Sequence, residues 1–167
     1  MICIDDSSTE ATTQRAAIAT SLAAGRFEWA VEAWFNLVSI DVGPEESILL
    51  LHFLNEGKLS VAACIRRHAN SICAGIVARN PDGTARGSKK NDVTVPIGQW
   101  RRWKLHLLRV GTRESTAVLY LDGQEKLRLD WNSTDREPDT FRVGIGRSPA
   151  GATATLYADE IRLTEST

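Results

Sequence analysis

Along most of this chain apolar and polar residues change places at every step. Trp103, Leu105 and Leu107 alternate with Lys104 and His106, and Ala117, Leu119 and Leu121 alternate with Val118, Tyr120 and Asp122. A period of two puts one set on one face of an extended strand. Asp122-Gly123 separates Leu121 from the alternating Lys126-Leu127-Arg128-Leu129, and an Asp-Gly pair takes the positive backbone angles of a two-residue hairpin turn. Upstream, Phe27, Trp29, Val31, Ala33, Phe35 and Leu37 share one face of a long strand that ends in the breaker cluster Asp41-Val42-Gly43-Pro44. Ile48 to Leu54 is apolar almost throughout and short, which predicts a strand buried on both faces.

Further strands are expected over Arg15 to Ala24, Leu59 to Arg66, Ile72 to Arg79, a short edge piece over Val93 to Ile97, Phe141 to Ile145 and Thr153 to Leu163. Asn55-Glu56-Gly57-Lys58, Arg67-His68-Ala69-Asn70 and Asn80-Pro81-Asp82-Gly83 read as turns, and Thr84 to Asp92 as a polar, basic loop. Gly144 and Gly146 leave one face of their strand bare, a mark of close backbone approach. Ten or so short strands with no credible helix predict two antiparallel sheets packed face to face, an all-β sandwich. Residues 1–14 are polar and aperiodic and read as a loosely attached lead-in, leaving 15–167 as a single domain.

Composition changes this picture little. The chain has 43% hydrophobic and 25% charged residues, and no apolar run approaches the roughly 20 residues of a membrane helix. The net charge of -1 conceals a basic segment, Arg86, Lys89, Lys90, Arg101, Arg102, Lys104, Arg109 and Arg113, opposed by Asp92. Nucleic acid is not the favoured partner, because Trp103 falls in phase with the core leucines instead of between the charges. Three cysteines leave one unpaired. A register that sets Ile65 opposite Ile72 would also set Cys64 opposite Cys73, so a cross-strand disulfide and two buried thiols both stand as readings, with Cys3 the odd one. MICIDDSSTE lacks the basic start and apolar run of a secretory leader.

Trp34 and Trp131 fall out of phase with the core runs. With Asn36, Arg66 and Arg79 beside Trp34 they make a candidate ligand platform, in which aromatic faces stack on sugar C–H groups and polar side chains bond the hydroxyls. The competing reading places Trp34 on a second buried face. His52 and His106 lie on strands, where a histidine is ordinarily a sheet residue, and Cys64 with His68 lacks the further ligands of a zinc site.

Gly-x-Trp opening a strand at Gly98, Leu119-Tyr120-Leu121-Asp122-Gly123, Val143-Gly144-Ile145-Gly146 and Leu156-Tyr157-Ala158-Asp159-Glu160-Ile161-Arg162-Leu163 together resemble the laminin-G-like, concanavalin A-like jelly rolls. The likeness covers most of residues 27 to 163. It implies a two-sheet jelly roll and a range of roles: glycan-binding and adhesion modules, glycoside hydrolases and polysaccharide lyases. It also implies a structural calcium ion near the termini, held by Asp159 with Asp5 and Asp6, beside which stands the other reading of Asp159 as an acceptor of backbone hydrogen bonds at a strand end. The glucanase branch carries Glu-x-Asp-x-x-Glu on one strand, a string absent here. The lyase branch pairs Gln or His with Tyr on neighbouring strands, and no Tyr-x-Lys string accompanies His52 or His106. The expectation is therefore a non-catalytic carbohydrate-binding or adhesion module at the extracellular or cell or virion surface. Its alternatives are a structural or decoration subunit of a larger assembly, which would oligomerise, and a lyase or hydrolase using His52 or His106.

Overall fold

The structure is a computed structural model that describes residues 1–6, 16–44, 46–88, 92–146 and 152–166. One sheet has the strand order β1 (Ile2–Asp6), β13 (Thr153–Ser166), β3 (Glu28–Asp41), β9 (Trp100–Leu108), β10 (Ser115–Leu121) and β11 (Gln124–Trp131). The other runs β2 (Ala16–Ser21), β12 (Thr140–Ile145), β4 (Ser47–Asn55), β5 (Lys58–His68), β6 (Ser71–Arg79) and β7 (Ala85–Gly87), with β8 (Val93–Thr94) also pairing β6. All these pairings are antiparallel, and the two sheets stack as a jelly-roll sandwich.

The alternation that predicted the strands also fills the space between the sheets. Val31, Ala33, Phe35 and Leu37 of β3 and Trp103, Leu105 and Leu107 of β9 meet Phe53, Val61, Ile65 and Ile76 from the opposite sheet, all buried in one core. Phe35 and Trp103 pack edge to face with centroids 6.0 Å apart. Asp122 and Gly123 take φ of 52° and 80°, the mirror-image turn that matches strand twist, so the predicted hairpin closes where the Asp-Gly pair stands.

Several expectations change. Residues 2–6 of the predicted lead-in form β1 on the edge of β13. Ile2, Cys3 and Ile4 have the strand propensity to do so, and their polar neighbours masked it; residues 7–14 lie outside the described segments. The basic loop over Thr84 to Asp92 contains β7, and its Lys89 and Lys90 also lie outside them. Trp131 points inward and packs in the hydrophobic core between the sheets, not on an outward platform. Strands β5 and β6 run to His68 and from Ser71, with Ala69 at φ 50°. This shorter turn slides the register by two residues, setting Cys64 opposite Gly75 and Cys73 opposite Arg66. The two cysteines are diagonal and both are free thiols.

Candidate functional site

The outward face of the seven-stranded sheet holds a cleft of about 380 Å³ at the end where the β4–β5 hairpin, the loop after β6 and the segment before β12 converge. Its position depends on a β-bulge. The β4–β5 register slips between Leu49 and Leu51, so Leu50 and Leu51, adjacent in sequence, both enter the core. Strict alternation from Ile48 would have pointed His52 inward. The extra residue turns it outward instead, as bulges re-aim side chains beside functional sites.

His52 stands between Arg142 of β12 and Ala62 of β5 in the cross-strand rows. It is 2% exposed, and neither Nδ1 nor Nε2 has a hydrogen-bond partner among the described residues. Most buried polar atoms in a folded protein are paired, and an orphan costs about 1–3 kcal/mol, so two on one ring call for an explanation. Burial first and the Arg142 guanidinium second push the imidazole down to about 4, opposed weakly by the Leu50 carbonyl from outside hydrogen-bond geometry. At neutral pH His52 is therefore an uncharged ring with a free lone pair.

Around it stand four cations: Lys58 at the start of β5, Arg79 at the end of β6, Arg136 before β12 and Arg142 within it. Leu49, Leu54 and Leu59 supply apolar wall, and no carboxylate lines the cleft among the described residues. The Arg79 and Arg136 guanidiniums donate to the carbonyls of Gly83 (3.0 Å) and Pro81 (3.2 Å), which fix their direction without neutralising them. Gly146, just past β12, donates its N–H to the Leu49 carbonyl at 3.0 Å and lies directly against the His52 ring.

The predicted platform comes apart. Trp34 and Asn36 are half-buried on the outward face of the six-stranded sheet, across the sandwich from Arg66 and Arg79. Arg79 lines the cleft. Arg66 does not: its Nη1 meets the Asp92 carboxylate at 2.6 Å, with both side chains almost fully buried. His106, on the same face as Trp34, is bonded to Glu28 at 2.5 Å and lies outside the cleft. The backbone register sets the candidate calcium ligands apart along β13. Asp159 accepts from the Met1 ammonium at 3.1 Å and the Glu160 N–H at 3.0 Å, whereas β1 pairs Asp5 with Thr155 and Asp6 with Ala154, four and five positions along β13. That is about 13 Å or more at the rise of a strand. The sequence pattern alone does not mark Lys58, Arg136, Arg142 and Gly146 as site residues. The signal that could have found them was a lone histidine in an apolar run together with the bare Gly144 and Gly146 face.

No family model matches the chain, and no curated protein matches it in sequence. Solved structures do resemble it in shape. An alginate lyase from Pseudomonas aeruginosa superposes with a TM-score of 0.60 at 15% identity, over 84% of this chain and 66% of that one. An alginate lyase variant in complex with alginate trisaccharide gives 0.68 at 10% identity, over 90% and 75%. An endo-β-1,4-glucuronan lyase from the fungus Trichoderma reesei gives 0.57 at 13% identity, over 99% and 95%. This chain thus spans just under two thirds of the Pseudomonas enzyme. At such identities the likeness establishes the jelly-roll fold. It also overturns the expectation of a non-catalytic binding or adhesion module, because the similar structures are polysaccharide lyases, and it lends nothing to a structural or decoration subunit.

Proposed function

We propose that this protein is a polysaccharide lyase that cleaves an acidic, uronate-containing polysaccharide by β-elimination. The observation that carries the reading is His52: a buried, uncharged imidazole with no hydrogen-bond partner among the described residues, at the floor of a cleft that those residues line with four cations and no carboxylate. Elimination at a uronate removes the C5 proton, which is weakly acidic because the neighbouring carboxylate can take up the charge. The carboxylate must first be neutralised, and Arg142, one strand over from His52, is placed to do this while Lys58, Arg79 and Arg136 hold flanking residues of the polymer. A substrate carboxylate brought beside His52 raises its low pKa and strengthens it as a base when the substrate is present.

The lyases similar in shape act on alginate and glucuronan, both polymers of uronates, which supports the same class of substrate here. Hydrolysis by a carboxylate pair has no counterpart in the cleft among the described residues. Incubation with alginate and with glucuronan, followed by ultraviolet absorbance, tests the reading. Elimination leaves a conjugated C4=C5 double bond that absorbs, whereas hydrolysis releases reducing ends without it. New reducing ends that carry no absorbance would refute a lyase.

A further inference from the structure

Gly146 occupies a position that no other residue could share with His52 as it stands. A Cβ built on Gly146 would overlap Cε1 and Nε2 of the imidazole and sit 2.8 Å from Nδ1. The ring therefore fills the volume that a side chain on β12 would claim. Among the described residues no tyrosine and no second histidine lines the cleft, and Lys58, at the start of β5, is the other group there that can carry a proton. The chain has two tyrosines, Tyr120 on β10 and Tyr157 on β13, and both strands belong to the opposite sheet. Of the other histidines, His106 is engaged by Glu28 on that same sheet and His68 is exposed at the β5–β6 turn. Arg142 from β12, Arg79 from β6, Arg136 from the segment before β12 and Lys58 from β5 are the charged groups facing the site, and guanidiniums keep their protons at any working pH.

We infer that His52 both takes the C5 proton and returns it to the departing O4, with Gly146 the positioning residue whose missing side chain gives the ring its place. The inference rests on the lyase reading and supplies its acid. The C5–H electron pair becomes the C4=C5 bond, the C4–O4 pair leaves on oxygen, and the proton held on the imidazolium passes to that oxygen, so the ring ends neutral and no co-reactant is consumed. One ring can serve both atoms only if H5 and O4 lie on the same face of the sugar. They do so in β-D-mannuronate and β-D-glucuronate; in the C5 epimer α-L-guluronate they lie on opposite faces.

The test compares polymannuronate, glucuronan and polyguluronate as substrates for wild type, H52A and G146A, reading the new double bond against pH. Wild type is expected to cleave the first two and leave polyguluronate intact. Its kcat/KM should rise through one acid limb and show no alkaline limb from a phenol. H52A should be inactive. A methyl group at 146 drives the ring out of its slot toward solvent. G146A should therefore lose roughly a hundredfold in kcat with KM held, the cost of an ångström's misplacement. Its acid limb should also move up from near 4 toward 6.5, a shift that a merely structural role would not produce. Equal cleavage of polyguluronate, a bell-shaped profile, or activity that survives H52A overturns the inference and leaves the lyase reading standing. Silence of the wild type on all three polymers overturns both. The substrate and pH results need no variant, so they decide the matter even if G146A fails to fold.

Discussion

His52 joins stability to chemistry at a single residue. Its folded pKa of about 4 lies below the ordinary 6.5, so as pH falls the unfolded chain takes up the proton first. Stability is complete above 6.5, declines between 6.5 and 4, and has lost about 3 kcal/mol from this group by the lower limit. Denaturant midpoints at pH 7 and pH 4.5 should differ more for wild type than for His52→Leu, which has nothing to protonate there. The same substitution removes two orphaned polar atoms while nearly conserving volume. It should raise stability at pH 7 by about 1–2 kcal/mol while abolishing turnover, the pattern of a residue kept for function. At Arg142 the proposed role is to hold the reacting carboxylate. Arg142→Met should cost roughly 10²-fold in kcat/KM with most of the loss in kcat, because the charge it balances grows toward the transition state.

Two elements decide where that residue points and what borders the cleft. The β4 bulge places Leu50 and Leu51 in the core together, and so lets His52 face outward although it lies an even number of residues from the inward Ile48. Farther along the same outward face, Asp92, just before β8, is tied to the sheet by Arg66. The Ser88 hydroxyl donates to the same carboxylate at 2.7 Å, and the Arg66 Nη2 donates to the Ile76 carbonyl at 3.3 Å. The pair lies over Gly75, where a Cβ would meet both the Asp92 carboxylate and the Arg66 guanidinium. Removing one member of a buried pair strands the other. Arg66→Met should therefore destabilise by about 3–5 kcal/mol in urea unfolding, and adding Asp92→Asn should recover much of the loss. The sequence offered Arg66 as a sugar ligand because its position alternates outward. Its partner, Asp92, lies 26 residues away, and nothing local links the two.

On the scale of the whole molecule, the net charge of -1 hides a cleft that carries four cations, so affinity for an acidic polymer depends on local field and not on overall charge. Raising ionic strength from about 0.05 to 0.5 M should weaken polyuronate binding severalfold in KM while leaving a neutral glucan without effect at either salt level, as screening lengths shrink. Far-ultraviolet dichroism and the fold itself follow from alternation. Which residues pair into strands, where the Asp122-Gly123 turn reverses the chain, and that two greasy faces must meet are dictated by side chains swapping sides at every step, a property each segment carries alone. Other features were beyond its reach. Trp131 lies in the core because β11 runs on to it and it shares the inward face of Leu127 and Leu129, a continuation that the polar Asp130 and Asn132 around it conceal. The Cys64–Cys73 register failed by two residues because the turn between β5 and β6 is shorter than its polar residues imply. Trp34 and Arg79 ended on opposite sides of the sandwich because parity along a strand names a face without saying which sheet owns it. The site exists only in three dimensions: a bulge, a glycine just past the neighbouring strand and cations from four separate segments meet around one histidine. Their sequence separations run to 94 residues, from His52 to Gly146, a distance only tertiary packing can close.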